Sequence, residues 1–391
     1  MGTYAHGINQ KLWVAAEATF GTVPGAVGGA DSFVAADGVR IIDAKLTATK
    51  ERNYDEMKNG SRSVEAPIGT RRSGSWSIHG YFYGGSAATN PPDFYLLWKA
   101  AMGDSSASGS DYQFAPLDAN TNSLSIMHSD VSSTGKVYGE YATGCVAESL
   151  EVKAAGDGHV EYTVSGPCKA VAFAGQTTLA ASATASGTSL TLTDGGVVTP
   201  GAIVTIDTEV MYVSAVSANT ATVTRGWGSS TAAAHSSAAT MYPWYPSTQT
   251  LATTKRVPGT LGSLTLNGGT IKFKSWTVAI KNAIEMFNDH YATESADGFV
   301  MGGKREITFS GDIRLEKDSV FVMGDSESLT AVDAAIVWGN TAGNMGSIDM
   351  DYVYFDKPEI DAGTGETSTT SISGRAVASS SFNDEIMIKT Y

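Results

Sequence analysis

The sequence predicts a mainly β protein with one helix and a small all-β unit inserted into the main domain. Three observations support this prediction. Apolar and polar residues alternate along many short segments, which is typical of strands with one buried face. Charged residues make up only 17% of the chain, and glycine is abundant, with 43 of 391 residues. Low charge with frequent glycine indicates short strands joined by many turns.

Two strand-like segments separated by a long polar loop dominate the second half of the chain. Residues 271–281 alternate around Trp276 and Val278, and residues 305–315 alternate around Ile307. The residues between these segments are too numerous for a tight hairpin turn. Long loops usually serve contacts with other molecules, so we expect this one to touch a neighbouring copy of the same chain.

The first half of the chain contains a similar arrangement. A strand over residues 39–50, expected to bury Ile42 and Leu46, precedes a polar loop and a strand over residues 69–79. The agreement between the two arrangements indicates a weak internal duplication. At one sequence offset, the matched pairs are Gly69 with Gly302, Arg71 with Lys304, Arg72 with Arg305 and Trp76 with Phe309.

Charged residues in and beside these two loops are the candidate inter-subunit contacts. We expect residues 283–299 to become ordered only against a neighbouring copy. High protection of this loop from hydrogen exchange in the free monomer would contradict that expectation. The candidate residues are Glu51, Arg52, Asp55, Glu56, Glu285, Asp289, Glu294 and Asp297.

The clearest helix spans about residues 91–102. Asn90 is a favourable N-cap residue, and Gly103 is a natural stop. Phe94 and Leu97 lie on one apolar stripe, so we expect the helix to pack on a sheet.

Residues 145–166 predict an antiparallel hairpin that turns at residues 156–158. Symmetric pairing about that turn places Cys145 and Cys168 nearly opposite each other. Two cysteines so placed could form a disulfide, but free thiols are the expected state in a reducing cytosol.

The remaining segments outline the domain organisation. Residues 1–38 show little periodicity, which fits either an arm that orders on assembly or a loose terminus. Residues 176–243 are almost devoid of charge and contain several short strand patterns. We interpret them as a small domain inserted between two parts of the main domain, residues 1–175 and 244–391. A strand pattern at residues 386–391 indicates that the C-terminus is pinned into a sheet.

Charge and hydropathy argue against several classes of protein. The net charge is −14, with 26 basic and 40 acidic residues, and no basic run is longer than Arg71-Arg72. Stable binding to nucleic acid needs clustered basic residues and is therefore not expected. No apolar run reaches the roughly 18 residues of a membrane span, and the N-terminus lacks a signal-peptide pattern. We expect a protein that folds in the cytoplasm.

No catalytic, cofactor or metal site is expected. The six histidines show no metal-binding spacing, and no Gly-x-Ser-x-Gly nucleophile motif occurs. Residues 298–304 resemble part of a phosphate-binding loop, but Arg305 replaces the required Ser or Thr and a strand pattern follows. Asp349 and Asp351 share one face of a strand, where a solvated surface is the preferred interpretation over a calcium site.

Several segments together resemble the tail tube proteins of long-tailed bacteriophages. Residues 176–243 resemble a small β unit that recurs in phage virion proteins, although Trp227-Gly-Ser-Ser replaces its usual Gly-Thr ending. The segments that resemble tail tube proteins are Glu17-Ala-Thr-Phe-Gly-Thr22, Leu46 to Arg52 with the strand from Gly69 to Ile78, the helix before Gly103, Gly144-Cys-Val-Ala-Glu-Ser-Leu-Glu-Val152 and Gly303-Lys-Arg-Glu-Ile-Thr-Phe-Ser-Gly311. The matching residues of the small unit are Gly201, Asp207, Glu209, Met211, Val213, Val223, Arg225, Gly226 and His235.

The resemblance implies a β-sandwich or barrel-like pair of sheets with a flanking helix. It further implies that six copies form a ring, and that rings stack into a tube through which DNA leaves the capsid without specific binding. The implied partners are the chain itself and the tape measure, terminator and distal tail proteins. The implied location is the virion, after assembly in the host cytoplasm, and no membrane or cofactor is involved.

An alternative interpretation is a receptor- or glycan-binding virion protein that acts through residues 176–243. Electron microscopy separates the two interpretations, because only a tube protein forms tubes of uniform width. We expect the inserted unit to project outward, and its deletion to leave tube assembly intact.

Overall fold

The computed structural model of the protein describes residues 9–25, 33–54, 68–85, 87–117, 123–132, 135–314, 321–361 and 369–391. Strands dominate the regular structure of these ranges, which confirms the predicted mainly β class. Residues 9–175 form β1 Gln10–Ala16, β2 Gly38–Val39, β3 Asp43–Asn53, β4 Ile68–Tyr81, α1 Tyr95–Met102, β5 Gly103–Ser108, β6 Asp111–Pro116, β7 Leu124–Ser132, β8 Gly135–Cys145, β9 Ser149–Ala155, β10 Glu161–Cys168 and β11 Ala170–Gly175.

The rest of the chain continues with short strands and then with a second series. Residues 176–243 form β12 Thr177–Thr178, β13 Ser189–Thr191, β14 Ile203–Ile206, β15 Glu209–Ser217, β16 Thr220–Thr224 and β17 Thr240–Pro243. Residues 244–391 form β18 Gly262–Leu266, β19 Gly269–Ile271, β20 Phe273–Lys281, β21 Ile284–Met286, β22 Phe299–Met301, β23 Glu306–Arg314, α2 Phe321–Ser328, β24 Val332–Trp338, β25 Gly346–Phe355, β26 Glu359–Asp361, β27 Thr369–Ala376 and β28 Met387–Thr390.

Three sheets build the body of the molecule. The large sheet has the order β19-β18-β24-β25-β27-β23-β20-β9-β10-β4-β3, with β26 beside β27, β28 beside β25, and β5 and β6 joined through β28. The five-stranded sheet has the order β11-β8-β7-β1-β2, and the six-stranded module sheet has the order β12-β17-β14-β15-β16-β13. The predicted C-terminal strand is confirmed as β28, which pairs with β25 and β6.

Two hydrophobic cores lie on opposite faces of the five-stranded sheet. Leu12 and Val14 of β1 point into the main core, which also holds the buried side chains of the large sheet. Trp13 of the same strand points the other way, together with Met127 and Tyr141, into a core shared with the module sheet. The five-stranded sheet therefore separates the main core from the module.

The position of β1 corrects the expectation that residues 1–38 are irregular. β1 lies between β7 and β2 in its sheet, and Leu12, Trp13 and Val14 are fully buried. A strand buried on both faces forms a continuous apolar run without polar alternation, so its periodicity is hidden. The prediction that Ile42 is buried is wrong, because Ile42 precedes β3 and is 40% exposed. Leu46 is buried as predicted.

The predicted helix is confirmed in place but begins later. α1 starts at Tyr95 rather than at residue 91, and its N-cap is Phe94, so the prediction of Asn90 as the N-cap is wrong. Pro92 disfavours helical backbone at residue 91, which excludes a start there. Gly103 ends the helix with a φ of 111°, as its backbone freedom allows. Trp98 of α1 is fully buried, and its ring centroid lies 4.6 Å from that of Phe94. The second helix, α2, has no counterpart among the predicted elements.

The two parts of the chain repeat one topology. β7 and β8 pair with a register shift between Leu124 and Ile126, and β24 and β25 pair with the same shift between Val332 and Ala334. Each part also contains a hairpin with a long loop, a helix, and a bent hairpin whose strands continue from one region of a sheet into another. The matching elements are β1 with β18, β2 with β19, β3 with β20, β4 with β23, α1 with α2, β7 with β24, β8 with β25, β9 with β26, β10 with β27 and β11 with β28.

A glycine opposite an aromatic residue marks the same point in both repeats. Trp76 of β4 lies opposite Gly166 of β10, and Phe309 of β23 lies opposite Gly374 of β27. A Cβ atom at Gly166 would lie 2.0 Å from the carbonyl oxygen of Val146, so no side chain fits there without a backbone shift. The match of Trp76 with Phe309 is thus part of a full structural repeat. This repeat is far more extensive than the four matched residue pairs indicate.

Cys145 and Cys168 are neighbours and carry free thiols. Both are buried, and burial together with the hydrogen bond between the thiols raises the pKa of Cys145 well above its ordinary value. The reactive thiolate is therefore scarce at neutral pH. We expect a thiol reagent to label neither cysteine in the folded chain and both in denaturant, measured by mass spectrometry. Rapid labelling before unfolding would contradict this expectation.

Candidate inter-subunit surface

The long loop between β20 and β23 extends the hairpin of these two strands as a short two-stranded ribbon. β21 and β22 pair antiparallel, with Glu285 opposite Val300. Asn282 fixes the base of this extension, because its side-chain amide donates to the carbonyl oxygens of Ala101 (2.8 Å) and Ala147 (3.2 Å). The loop thus leaves the sheet from a point that is tied to the end of α1.

The tip of this loop folds back onto β4. The backbone N–H of Arg72 donates to the carbonyl oxygen of Glu294 at 2.6 Å, and the two side chains form an ion pair at 3.7 Å. Within the tip, His290 Nδ1 lies 2.7 Å from Asp297 Oδ2. This hydrogen bond raises the pKa of His290 and lowers that of Asp297. Both side chains are exposed, so the pair adds little stability.

The structure brings the two groups of candidate contacts to one region. Arg72, which binds the loop tip, pairs with Lys50 of β3, next to Glu51 and Arg52 at the end of that strand. Glu51, Arg52, Glu285, Asp289, Glu294 and Asp297 are all exposed, whereas Asp55 and Glu56 lie outside the described residues. Contact of these residues with a neighbouring copy stays a prediction, as does the ordering of the loop on assembly.

Sheet edges form a second surface that sequence patterns did not reveal. β3 ends the large sheet, and within the described part of the chain its only strand partner is β4. β26 likewise pairs only with β27 among the described strands. Edge strands present rows of backbone N–H and C=O groups that can pair with another chain.

A buried carboxylate joins two of the segments that carry the family resemblance. Glu17 accepts hydrogen bonds from the N–H of Gly21 (2.6 Å), the N–H of Gly144 (2.8 Å) and the hydroxyls of Ser123 and Ser125. Burial raises the pKa of Glu17, although these four donors oppose the increase. The site holds the end of β1 against the end of β8 and has a structural role.

The module contains a buried ionic cluster centred on Glu209. Arg225 donates from Nε and Nη2 to the two carboxylate oxygens of Glu209, both at 2.7 Å. His235 Nε2 lies 2.9 Å from the same carboxylate, and its Nδ1 lies 2.9 Å from Asp207. Burial alone raises the pKa of Glu209, but hydrogen bonds from Arg225, Ala233, His235 and the Gly226 N–H outweigh it and lower the pKa to about 2.

The Glu209 cluster has the character of an internal support. Arg225 also donates to the carbonyl oxygens of Thr184, Gly187 and Ala233, so it ties three loop positions to one carboxylate. The sequence resemblance singled out Glu209, Arg225 and His235, but the tertiary structure brings them together. Glu209 begins β15, Arg225 directly follows the paired strand β16, and an isolated bridge to Ala183 holds His235.

Other candidate chemistry from the sequence is not assembled in the described part of the chain. No group of three or more potential metal ligands occurs there, and Asp349 forms an ion pair with Lys389 at 3.2 Å. Residues 298–304 lead from β22 into β23 and not into a helix. Neither described helix has the length and apolar character needed to cross a membrane.

A family model described as "Phage tail tube protein" matches residues 7–226. No curated protein matches. Among solved structures, one similar chain comes from the "Cryo-EM structure of the anti-feeding prophage (AFP) baseplate, 6-fold symmetrised". It shares 9% identity at a TM-score of 0.30, over 45% of this chain and 98% of that chain.

Proposed function

We propose that this chain, which belongs to the phage tail tube protein family, self-assembles into stacked rings that form the tube of a phage tail. The observation that carries the proposal is the family match over residues 7–226, more than half of the chain. Location in the virion follows from this role, with assembly in the host cytoplasm.

The open sheet edges support assembly through strand pairing. β3 and β26 lie on the outer sides of a continuous run of strands that passes through both repeats. Joining such edges between chains would satisfy the exposed backbone groups and prevent uncontrolled pairing. A head-to-tail contact of this kind generates a ring when its rotation closes.

The charge of the chain supports a role as a conduit for DNA. The net charge is −14, and a tube wall without clustered basic residues does not hold the phosphate backbone. DNA would then pass through the lumen without specific binding. The tube ends would contact the tape measure, terminator and distal tail proteins, as the resemblance implies.

The layer order supports an outward position for residues 176–243. The module sheet packs on the face of the five-stranded sheet that points away from the main core. If the β3–β26 run lines the lumen, the five-stranded sheet separates the module from it. Residues 176–243 then form a decoration domain between the two tube parts, residues 1–175 and 244–391.

Electron microscopy of the purified chain tests the proposed function. We expect concentrated protein to form tubes of uniform width with a regular axial repeat. A discrete monomer or small oligomer that never polymerises, at any concentration or salt, would overturn the proposal.

A further inference from the structure

The junction between the two repeats shows how one tube fold joins the next. β9 of the first repeat pairs antiparallel with β20 of the second, with Val152 opposite Val278 and Lys153 opposite Thr277. Both valines are buried in the main core. This junction joins two copies of one topology within a single chain.

The pairing registers identify the equivalent of β9 in the second repeat. In the first repeat, Lys153 of β9 lies opposite Glu161 of β10. In the second repeat, Asp361 of β26 lies opposite Thr369 of β27. Because β10 and β27 correspond, β26 occupies the place of β9, with Asp361 at the position of Lys153.

The same comparison identifies the equivalent of β20 in the first repeat. Val278 of β20 lies opposite Phe309, and Leu46 of β3 lies opposite Trp76. Leu46 therefore holds the position of Val278, and Lys45 that of Thr277. The outer edges of β26 and β3 are thus equivalent to the two edges, of β9 and β20, that the junction joins within the chain.

We propose that β26 of one chain pairs antiparallel with β3 of the next, and that three chains close each ring. This inference rests on the proposed tube function. Transfer of the junction register places Ile360 opposite the next chain's Leu46, and Asp361 opposite its Lys45. An acidic and a basic residue then face each other, and cross-strand pairs of opposite charge favour the pairing.

Three chains per ring follow from the repeat. The family match covers the first repeat and part of the module, and the second repeat begins beyond it at β18. Because the second repeat has the strand order of the first, we take each repeat as one tube fold, so this chain contains two. A ring of six tube folds, which the resemblance implies, is built from three chains and not from six copies.

The size of the lumen also argues against fewer chains. Each chain contributes β26, β27, β23, β20, β9, β10, β4 and β3 to the wall. With strands about 4.8 Å apart and tilted by about 40°, two chains enclose a barrel about 30 Å across and three enclose one about 50 Å across. Inward side chains would leave a two-chain barrel with almost no clearance around a double helix whose grooves alone are about 8 Å deep.

A disulfide between neighbouring chains tests both the register and the number of chains. In the Lys45→Cys, Asp361→Cys double variant, the two new cysteines lie directly opposite each other, within disulfide reach. Mild oxidation of assembled protein should give a ladder on a non-reducing gel that ends at the covalent trimer. The matched control is Lys45→Cys with Glu359→Cys, which is two residues out of register and should remain monomeric.

Charge reversal provides a second test that does not depend on oxidation. Lys45→Glu should reduce tube formation strongly, and addition of Asp361→Lys should restore it, while circular dichroism of the unassembled chains stays unchanged. Mass measurement of single rings should give three times 40.7 kDa.

Each contrary result would contradict one specific part of the proposal. If the Lys45→Cys, Asp361→Cys variant and its control both assemble into tubes, absence of the disulfide-linked product in the former contradicts the β26–β3 pairing. A ladder that continues to six, or rings of six times 40.7 kDa, contradicts the three-chain ring. Failure of the unmodified chain to form tubes contradicts the proposed function instead.

Discussion

Replacement of Glu209 by glutamine is expected to destabilise the module sheet strongly while the stability of the main core stays unchanged. The variant keeps the size of the side chain but leaves Arg225 as a buried charge without its carboxylate partner. Removal of one partner of a buried ion pair costs about 3–5 kcal/mol. Hydrogen exchange of β14 to β16, measured by mass spectrometry, should accelerate by two or more orders of magnitude.

A matched control for Glu209→Gln lies in the same cluster. Asp207 contacts the other ring nitrogen of His235, but its side chain is 70% exposed. Asp207→Asn should therefore change stability by less than about 1 kcal/mol. Equal effects of the two substitutions would show that the buried Glu209–Arg225 pair does not stabilise the module.

Acid should remove the contribution of Glu209 over a defined pH range. Its pKa is about 2 in the folded chain, against an ordinary value of 4.5. A lowered folded-state pKa stabilises the fold above the ordinary value, and this stability is lost as pH falls from about 4.5 to about 2. The shift corresponds to roughly 3 kcal/mol. Urea unfolding of the module at pH 6 and pH 2.5 should show a smaller difference between wild type and Glu209→Gln at the lower pH.

Deletion of residues 178–240 is expected to preserve tube assembly but to make the chain less soluble. Thr177 and Met241 lie opposite each other in adjacent strands, so a short turn can join them. The structure describes every residue of the module, and none of them belongs to the main core. The edges of β3 and β26 also lie outside the module. However, the deletion removes part of the apolar cover of Trp13, although Tyr245, which stacks on its ring at 5.7 Å, remains. Full exposure of such a side chain would cost up to about 5 kcal/mol, so partial exposure costs less.

A second deletion variant separates solubility from assembly. Trp13 and Met127 lie opposite each other on the uncovered face, and threonine at both positions gives a polar cross-strand pair with high strand propensity. We expect this variant to be soluble and to form tubes of normal spacing but smaller outer diameter in electron micrographs. A soluble, folded variant that forms no tubes would show that the module is part of the assembly surface. Loss of a glycan-array signal on deletion would favour the receptor-binding alternative.

The strands that alternate in sequence are predictable, and those buried on both sides are not. β4, β9, β10 and β23 each bury one face, so period-2 patterns locate Trp76, Leu150 and Phe309 correctly. β1 is not predictable from alternation, because Leu12 and Trp13 face two different cores and both are apolar. α2 escapes it because Gly324 and several polar residues interrupt its apolar pattern.

By itself, the sequence determined the mainly β class, the long-loop hairpins, the apolar stripe of α1 and the resemblance to tail tube proteins, because these depend on local periodicity and short motifs. The tertiary structure alone decided that two parts of the chain repeat one strand order, that β9 and β20 join them, and that β3 and β26 are equivalent edges among the described strands. The physical reason is that strand register depends on backbone hydrogen bonds and on matched volumes across the sheet. Trp76 opposite Gly166 and Phe309 opposite Gly374 satisfy the same packing with different residues, so the repeat persists in structure where little sequence identity marks it.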